Sequence, residues 1–486
     1  MKNVAEEVFV DCERETLHLF FLECQKIAKE KKRDQVGSII LGIEEVDPLK
    51  VLDLLKDSND KYFYFEHPEN DFAIVGIGAI IEGAFEGEKR FAEVRNFAKQ
   101  WMENTILARN TTNENCDGMN VGPHFFTSFT FDEEPKNSQI DERLSRSFPA
   151  ACVFLGGCQI MRKGSRSLIM ANRVIGIETN VDIMAEEIRE TYLKILGLKN
   201  NKPLFQTERK NQQIRSKETG GTEWYEEALT RIIESLKCGS LEKVVVARAI
   251  DIESDRVFDP LSMINRLRTV YPLCYSCLIG NGRGQHFICA TPERLVKIEN
   301  KKIFTAALAG TAPRGISEME DQALEQDLLR SEKNVVEHQF VVECIVDSLM
   351  CIGLNAKYNK DHLEVKKLAN VQHLYTAIEA EINGDIHLLD VAATLHPTAA
   401  VCGIPAKISR EVINSFEPFN RELYTGVIGF FDFQGQGEMV VGIRCALIDG
   451  AKARLYAGGG IVQESNIMSE RKETDLKFQV ILGNLL

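Results

Sequence analysis

The feature that most constrains the fold is a series of strand-like segments joined by short turns in the second half of the sequence. FICATPERLVKIENKKIFTAALAGT predicts a β-hairpin that turns near Asn300. GEMVVGIRCALIDGAKARLYAGGGIV predicts a second pair of strands. Helices are predicted between the strands, including a long amphipathic one from about Ser331 to Met350. Strands linked mainly as hairpins, with helices inserted between them, indicate an α+β fold and not alternating βαβ units.

The length of the chain favours more than one structural unit. A chain of 486 residues that is 44% hydrophobic can bury one very large core or two ordinary ones. The stretch from Gln206 to Gly221 has almost no apolar side chain and is the predicted junction. We therefore divide the chain into an N-terminal half, residues 1–215, and a C-terminal core, residues 216–486.

The charge and the apolar segments exclude several kinds of partner. The formal net charge is −14 and Lys and Arg are not clustered, so we expect no nucleic-acid partner. The most apolar stretch, Phe72 to Ile81, is too short to span a bilayer. The segment MKNVAEEVFVDCERE lacks the basic start and apolar core of a signal peptide. These features predict a cytoplasmic protein without a membrane partner, in which an anionic ligand must be met by local cations.

Three charged residues near the C-terminus share one face of a predicted helix. At 100° per residue, Glu470, Glu473 and Lys477 fall within an arc of about 60°. They follow Arg444 and a glycine run that exposes backbone amides, so this face could help to bind a small anion and a hard metal ion. Alternatively, Glu473 and Lys477 form an ordinary i,i+4 ion pair on a solvated face.

Lys243 and Glu293 are the candidate base and acid. Lys243 begins a valine-rich strand, where it is either a charge that protects a sheet edge or a general base that must lose its proton. Glu293 follows Pro292 at the start of another apolar strand. It is either a carboxylate in a turn or, if buried, a group that stays protonated long enough to act as a general acid.

Glu337 is a third carboxylate in an apolar setting. It lies in SEKNVVEHQFVVECIVDSL among valines and a phenylalanine. Such a carboxylate either points away from the helix or has a partner inside the protein. Mg²⁺ is held by few carboxylates, with substrate oxygens and water completing the octahedron, so Glu337 and one glutamate of the C-terminal helix would suffice.

The order of several motifs adds a resemblance that covers about Thr222 to Leu486. These motifs are KVVVAR, TPERLV, LAGTAPRG, SEKNVVEH, VQHLYT, LHPTAAVCGIP, RELYTGVIG, GIRCA, YAGGGIV and a final E-x-x-E-T. In this order they resemble the chorismate-utilising enzymes, and among them the longer isochorismate synthases associated with menaquinone or phylloquinone synthesis. Lys243, together with Ala309 where amination enzymes of this family can carry a nucleophilic lysine, favours water over ammonia as the nucleophile.

The resemblance implies a role for each matched position. Lys243 would activate water for attack at C2 of chorismate, and Glu293 would protonate the departing C4 hydroxyl. Mg²⁺ would be bound by Glu337 and Glu473, with Glu470 behind them. The substrate would be held or lined by the remaining matched positions, which are Gly310, Thr311, His373, Tyr424, Arg444, Gly458 and Lys477.

The resemblance also implies the architecture and leaves two alternative functions. The expected fold is that of anthranilate synthase component I, in which two antiparallel β-sheets pack together with helices outside. The N-terminal half is expected to complete the same sheets, and the protein to be a monomer or a weak homodimer. One alternative is a salicylate synthase, which also eliminates pyruvate from isochorismate. The other is a chorismate-binding subunit that has no catalytic activity.

Overall fold

A computed structural model describes residues 8–9, 12–110, 121–134, 147–200, 213–221, 223–239, 241–360 and 362–485. The strands are β1 (Val8–Phe9), β2 (Gln35–Glu44), β3 (Lys61–His67), β4 (Phe72–Phe85), β5 (Thr105–Arg109), β6 (Phe125–Phe129), β7 (Ala151–Lys163), β8 (Arg166–Ile175), β9 (Ile214–Glu218), β10 (Lys243–Ser254), β11 (Tyr275–Asn281), β12 (Gln285–Thr291), β13 (Arg294–Glu299), β14 (Lys302–Pro313), β15 (Glu364–Lys367), β16 (Val371–Glu381), β17 (Gly403–Ile404), β18 (Val427–Phe431), β19 (Gly437–Val441), β20 (Cys445–Asp449) and β21 (Lys452–Ile461). The α-helices are α1 (Arg14–Lys31), α2 (Pro48–Leu55), α3 (Arg90–Met102), α4 (Val181–Leu196), α5 (Trp224–Leu236), α6 (Pro260–Val270), α7 (Glu318–Arg330), α8 (Glu332–Cys351), α9 (Leu388–Leu395), α10 (Ala406–Phe416) and α11 (Ile467–Leu485).

The strands form two sheets that share the long strands β4 and β7. The first sheet runs β1-β5-β2-β8-β7-β4-β3-β11-β12-β20-β21-β10-β9. The second leaves β7 through β6 and runs β6-β18-β19-β13-β14-β16-β15. All pairs named in these two orders are antiparallel except β1 with β5 and β5 with β2. The predicted α+β fold with two antiparallel sheets is therefore confirmed.

Aromatic side chains fill the space between the two sheets. Phe65 on β3 meets Phe430 on β18 with ring centroids 5.3 Å apart. Phe63 on β3 meets Phe126 on β6 at 5.1 Å. Each of these rings is at least 95% buried, and full burial of such a side chain contributes about 1.5–3 kcal/mol. The outward faces of the strands are covered by helices.

Eight of the described helices pack on the two outer faces, and α5 and α10 share a separate apolar cluster with β10 and β21. Side chains of α1, α2, α4, α6 and α11 share one apolar cluster with the first sheet. Side chains of α3, α8 and α9 share another with the second sheet. None of the helices in the described ranges is both long and apolar enough to cross a membrane.

Strands from the first 200 residues pair directly with strands of the C-terminal core. β3 pairs with β11, and β6 pairs with β18. Part of the predicted junction is itself a strand, since β9 pairs with β10. The junction residues 206–212 lie outside the described residues. The division at residues 215 and 216 stays a prediction.

The local elements agree with the sequence pattern in the C-terminal core. The hairpin between β13 and β14 turns at Asn300 and Lys301, whose φ angles of 52° and 61° lie in the left-handed region. The predicted long helix is α8, whose N-cap Ser331 accepts a hydrogen bond from the amide of Asn334. The hairpin presents Glu293 and the helix presents Glu337 to the same region of the molecule.

Candidate active site

One cavity of about 100 Å³ gathers almost all of the predicted site residues. Its walls come from β10, β14, β16, β21, α8 and α11 and from the turns before β13 and β20. Of the predicted residues, those that line it are Lys243, Glu293, Gly310, Thr311, Glu337, His373, Tyr424, Arg444, Gly458, Glu473 and Lys477. Glu470 is not part of the lining.

Lys243 is buried in a strand that has partners on both sides. β10 pairs with β21 along its length and with β17 at Lys243, so this lysine does not protect a sheet edge. Its Nζ donates a hydrogen bond to Glu337 Oε1 at 2.6 Å. A Cβ atom at Gly460 would lie 2.8 Å from Lys243 Cε, so a glycine on the neighbouring strand leaves room for the lysine. The candidate base is therefore held beside a candidate metal ligand.

Glu293 occupies the turn between β12 and β13 and is 8% exposed. Burial raises the pKa of its carboxyl to about 7, although Arg444, Thr398 and Lys243 act in the opposite direction. Thr398 Oγ1 lies 3.5 Å from Glu293 Oε1 as its hydrogen-bond donor. A carboxyl with this pKa is partly protonated near pH 7 and can donate a proton. The geometry therefore favours the acid alternative over a solvated turn.

Glu473 and Lys477 form an i,i+4 ion pair on α11, but the pair lines the cavity. Lys477 Nζ donates to Glu473 Oε1 at 2.6 Å and to the carbonyl of Gly458 at 2.7 Å. Burial acts to raise the pKa of Glu473, but the charge and hydrogen bond of Lys477, together with smaller effects of neighbouring groups, lower it overall. Glu473 is therefore ionised at neutral pH and can accept a cation.

Glu470 lies one helical turn earlier and has a different environment. Its Oε1 accepts a hydrogen bond from Ser465 Oγ at 2.8 Å. Burial and then the negative charge of Glu473 raise its pKa. A Cβ atom at Gly459 would lie 3.3 Å from Glu470 Oε2, so this carboxylate lies beside the glycines of β21. Its supporting role behind the metal ligands stays a prediction.

Gly310, Thr311 and His373 form one wall through an irregularity in the β14–β16 pairing. The register shifts between Ala309 and Thr311, and Gly310 between them has φ +76°, which favours glycine. Thr311 Oγ1 lies 3.0 Å from His373 Nδ1. Burial lowers the pKa of His373 to about 3, and its Nε2 is buried without a hydrogen-bond partner among the described residues. A neutral imidazole nitrogen is thus available to a ligand.

Arg444 is held in a strained backbone conformation beside the cavity. Its φ of 50° is in the left-handed region, which costs free energy for a residue other than glycine and recurs at functional sites. Burial lowers the pKa of its guanidinium. The guanidinium has no hydrogen bond or ion pair in the part of the chain that the structure describes. A buried cation without a protein partner is suited to an anionic ligand.

Tyr424 and Gly458 complete this side of the cavity. The ring of Tyr424 stacks on Tyr456, with centroids 5.2 Å apart and 7° between the planes. A Cβ at Gly458 would lie only 2.6 Å from the Tyr424 hydroxyl. The glycine is therefore required for Tyr424 to reach the cavity, and the Gly458 carbonyl at the same point accepts from Lys477.

The comparison with known families covers nearly the whole sequence. Residues 21–486 match the family described as chorismate binding enzyme. The chain belongs to the chorismate-binding enzymes. The predicted resemblance is confirmed, and it extends well beyond the C-terminal core in which the motifs were recognised.

Individual relatives agree with this membership. The chain is 29% identical to isochorismate synthase MenF of Bacillus subtilis over 462 residues, which cover 94% of this chain and 95% of that protein. It is 30% identical to the salicylate biosynthesis isochorismate synthase of Pseudomonas aeruginosa, over 90% of this chain and 88% of that protein. The solved structure of MenF, the menaquinone-specific isochorismate synthase of Escherichia coli, aligns with a TM-score of 0.73 at 24% identity, over 96% of this chain and 99% of that one. This last similarity shows the fold.

Two further residues of this chorismate-binding enzyme contact the cavity region and were not singled out from the sequence. Tyr456 lines the cavity, and its hydroxyl is buried without a hydrogen-bond partner within the described ranges. Thr398 contacts Glu293. Both lie within recognised motifs, YAGGGIV and LHPTAAVCGIP, so the motifs mark the right segments. They do not say which side chain of a strand or loop faces inward.

The donor set of this chorismate-binding enzyme fits Mg²⁺. No group of three or more His, Cys, Asp or Glu side chains is placed to hold a metal ion in the part of the chain that is described. Glu337 and Glu473 nevertheless line one cavity. The negative charge of each is balanced by a lysine whose Nζ lies 2.6 Å away, Lys243 for Glu337 and Lys477 for Glu473. Mg²⁺ needs only one or two carboxylates when water and substrate oxygens supply the remaining ligands. Glu337 and Glu473 are therefore the residues that would hold it.

Proposed function

We propose that the protein converts chorismate to isochorismate with Mg²⁺ as its cofactor. The two relatives of 29% and 30% identity, both isochorismate synthases by name, support the reaction. The observation that carries the proposal is that a candidate base, Lys243, and a candidate acid, Glu293, line the same cavity as Arg444 and Lys477. A protein that only bound chorismate would need the cations but not the acid and base.

Substrate binding follows from the charges in the cavity. Chorismate carries two carboxylates, whereas the protein has a formal charge of −14, so attraction must come from local groups. The guanidinium of Arg444 and the ammonium of Lys477 provide two such cations. Arg444 can bind a carboxylate through two parallel hydrogen bonds, which also sets the orientation of the ring. Tyr424 and His373 then supply donors or acceptors near the polar groups.

The proposed chemical step moves a hydroxyl within the ring. Lys243 removes a proton from water as the water oxygen bonds to C2. The double bonds of the ring shift, the C4–O bond breaks, and Glu293 gives its proton to the departing hydroxyl. One water enters and one leaves, so substrate and product are isomers. The acid must be protonated at the start, which agrees with the pKa of about 7 for Glu293.

The metal ligands also influence the base. When bound, Mg²⁺ would supply the positive charge that holds the ring carboxylate of the substrate. In the structure the carboxylate of Glu337 is the hydrogen-bond acceptor of Lys243. A Glu337 carboxylate engaged in metal binding would compete less for this amine, which must be free to accept a proton from water. In the same way, the carboxylate of Glu473 accepts a hydrogen bond from Lys477, and metal binding by Glu473 would leave this ammonium freer to bind the substrate.

Three expectations accompany this proposal. The protein functions as a monomer or a weak homodimer, it works in the cytoplasm, and its product serves menaquinone or phylloquinone synthesis. The last follows the name of the 29% identical relative, MenF. Sedimentation of the purified protein across a range of concentrations tests the first expectation.

The decisive experiment identifies the products. Purified protein is incubated with chorismate, with and without Mg²⁺, and the mixture is separated by chromatography. We expect isochorismate in an equilibrium with chorismate, and only when Mg²⁺ is present. Accumulation of salicylate and pyruvate as the only products would show a salicylate synthase instead. Binding of chorismate without any isochorismate would show a subunit that lacks catalytic activity.

A further inference from the structure

A second cavity of about 190 Å³ lies on the other side of the turn that carries Glu293. It shares Pro292, Glu293 and Leu308 with the candidate active site. We call it the basic cavity and define it by its remaining lining residues, which are His67, Glu69, Asn70, Tyr275, Arg294, Ala306, Lys366 and Tyr375. It combines strands of the N-terminal half and of the C-terminal core, because His67 ends β3 and Lys366 lies on β15.

Arg294 presents unused donors to this cavity. Its Nε donates to Glu438 Oε1 at 2.7 Å and to the Tyr275 hydroxyl at 2.9 Å. These contacts fix the plane of the guanidinium. Its two terminal nitrogens have no hydrogen-bond partner within the described ranges. A guanidinium anchored through Nε, with its outer nitrogens free, is arranged as a fork for an oxyanion.

Lys366 adds a second cation without an acid partner. It has no ion pair or hydrogen bond to any described residue, and its Nζ lies 5.8 Å from the centre of the Tyr375 ring. Burial lowers the pKa of Lys366 and the charge of Arg294 lowers it further, whereas Cys274 and Glu69 act in the opposite direction. Neighbouring Lys367 contrasts with it, since its Nζ lies 3.1 Å from Asp321 and 2.8 Å from Glu325.

His67 supplies the third polar group. It is 5% exposed and its ring meets the edge of Tyr275, with the centroids 4.3 Å apart. Its Nδ1 is buried and lacks a hydrogen-bond partner among the described residues. A buried polar atom without a partner costs about 1–3 kcal/mol unless something satisfies it. Because His67 lines the cavity, a ligand there could satisfy it.

We propose that the basic cavity is a second anion-binding site, which takes a small oxyanion such as a carboxylate or phosphate. Glu438 is already bonded to Arg294 and Tyr275. Glu69, which lines the cavity, makes no hydrogen bond or ion pair with Arg294 or Lys366 among the described residues. Two adjacent cations are unfavourable in a partly buried cavity, and an anion between them removes this cost. Because Arg294 follows Glu293 in the chain, an anion held there lies next to the wall of the candidate active site.

Calorimetric titration tests this binding without relying on the proposed reaction. Sodium pyruvate and inorganic phosphate are titrated separately, at constant ionic strength, into the wild-type protein and its variants. Lys366→Gln removes one cation, and His67→Phe keeps the ring contact with Tyr275 but removes Nδ1. Lys367→Gln is the matched control on the same strand. Lys477→Gln identifies any binding that belongs to the candidate active site.

We expect saturable binding that Lys366→Gln weakens by about tenfold or more, equivalent to about 1.4 kcal/mol. His67→Phe should weaken it as well, while Lys367→Gln and Lys477→Gln retain it. The tighter of the two anions identifies the class of ligand. The proposal is overturned if neither anion binds saturably. It is also overturned if Lys366→Gln and His67→Phe, each with an unchanged melting temperature, bind as the wild type does, or if only Lys477→Gln loses binding.

Discussion

Two neighbouring cavities share a wall at Glu293 but differ in how their charges are compensated. In the candidate active site both lysines have carboxylate partners at 2.6 Å, while Arg444 has none among the described residues. Within the described part of the chain, Lys366 in the basic cavity has no acid partner, and Arg294 forms hydrogen bonds through Nε alone. Both cavities therefore offer cations to an anion. Glu293, the candidate acid, lines both cavities, whereas the candidate base Lys243 and the two carboxylates that could bind a metal ion, Glu337 and Glu473, line only the first.

The difference separates binding from chemistry. Attraction of a small anion needs only cations whose donors are free. A hydroxyl transfer also needs a base and an acid that begin in opposite protonation states. Lys243 and Glu293 have positions suited to those roles. The lysine that lines the basic cavity, Lys366, makes no hydrogen bond to a carboxylate among the described residues, unlike Lys243. The following substitutions test that separation, from the largest expected effect to the smallest.

Lys243→Ala should remove the chemistry from the candidate active site and leave its binding function. We expect kcat to fall by about a thousandfold, within the range for loss of a general base. Binding of chorismate, measured at equilibrium, should change much less, because Arg444 and Lys477 remain. Lys302→Ala, an exposed lysine at the start of β14, is the control. Retention of more than a tenth of the wild-type rate by Lys243→Ala would contradict the assignment.

Glu293→Gln changes the shared wall and should lower kcat by about a hundredfold or more, because the amide cannot donate the acid proton. It should also stabilise the protein at high pH. A pKa raised from 4.5 to about 7 means that the folded state holds its proton over a range in which the unfolded state has lost it. The contribution of this carboxyl to the stability of the wild type therefore falls as the pH rises from 4.5 to about 7, by about 3 kcal/mol at most.

Denaturant unfolding at several pH values measures this effect. We expect the unfolding free energy of Glu293→Gln to exceed that of the wild type at pH 8 and the difference to shrink towards pH 4. Glu299→Gln, at the far end of the same strand β13, should show no such trend. An equal difference at pH 4 and pH 8 would mean that Glu293 ionises with an ordinary pKa.

Glu473→Gln should affect the metal requirement and have the smallest effect of the three substitutions. The Mg²⁺ concentration for half-maximal activity should rise by about tenfold or more. In metalloproteins generally, loss of a residue that only hydrogen-bonds to a metal ligand already weakens metal binding by about 10- to 100-fold. Direct calorimetric titration with Mg²⁺ gives a readout that does not depend on turnover. Glu464→Gln, an exposed residue just before α11, is the control. An unchanged Mg²⁺ affinity would remove Glu473 from the metal site.

The motifs predicted much of the fold because the relevant signals are local. The hairpin at Asn300 depends on two residues that adopt positive φ, and helix α8 depends on its own periodicity and its Ser331 cap. The sequence did not predict strand β9, which forms within the predicted junction through pairing with β10. The junction has few apolar residues, so a strand at that position depends on the neighbour that supplies hydrogen bonds.

The candidate site also combines features that local sequence signals predict with features that depend on tertiary packing. Helical spacing placed Glu470, Glu473 and Lys477 on one face of α11, yet only the last two line the cavity. The spacing defines an angle around the helix axis but not how far along the axis the cavity extends. The alternative of a solvated ion pair was right about the bond between Glu473 and Lys477 and wrong about its surroundings, since Lys477 is only 13% exposed.

The sequence by itself determined the α+β class, the family and the residue types that can act as acid, base and metal ligands. These follow from local periodicity and from the order of motifs along the chain. Only the tertiary structure brought Lys243 to Glu337, 94 residues away in the chain, and placed His67 in one cavity with Lys366. Contacts between residues so far apart in the sequence depend on which strands pair and in which register, and non-local packing determines both.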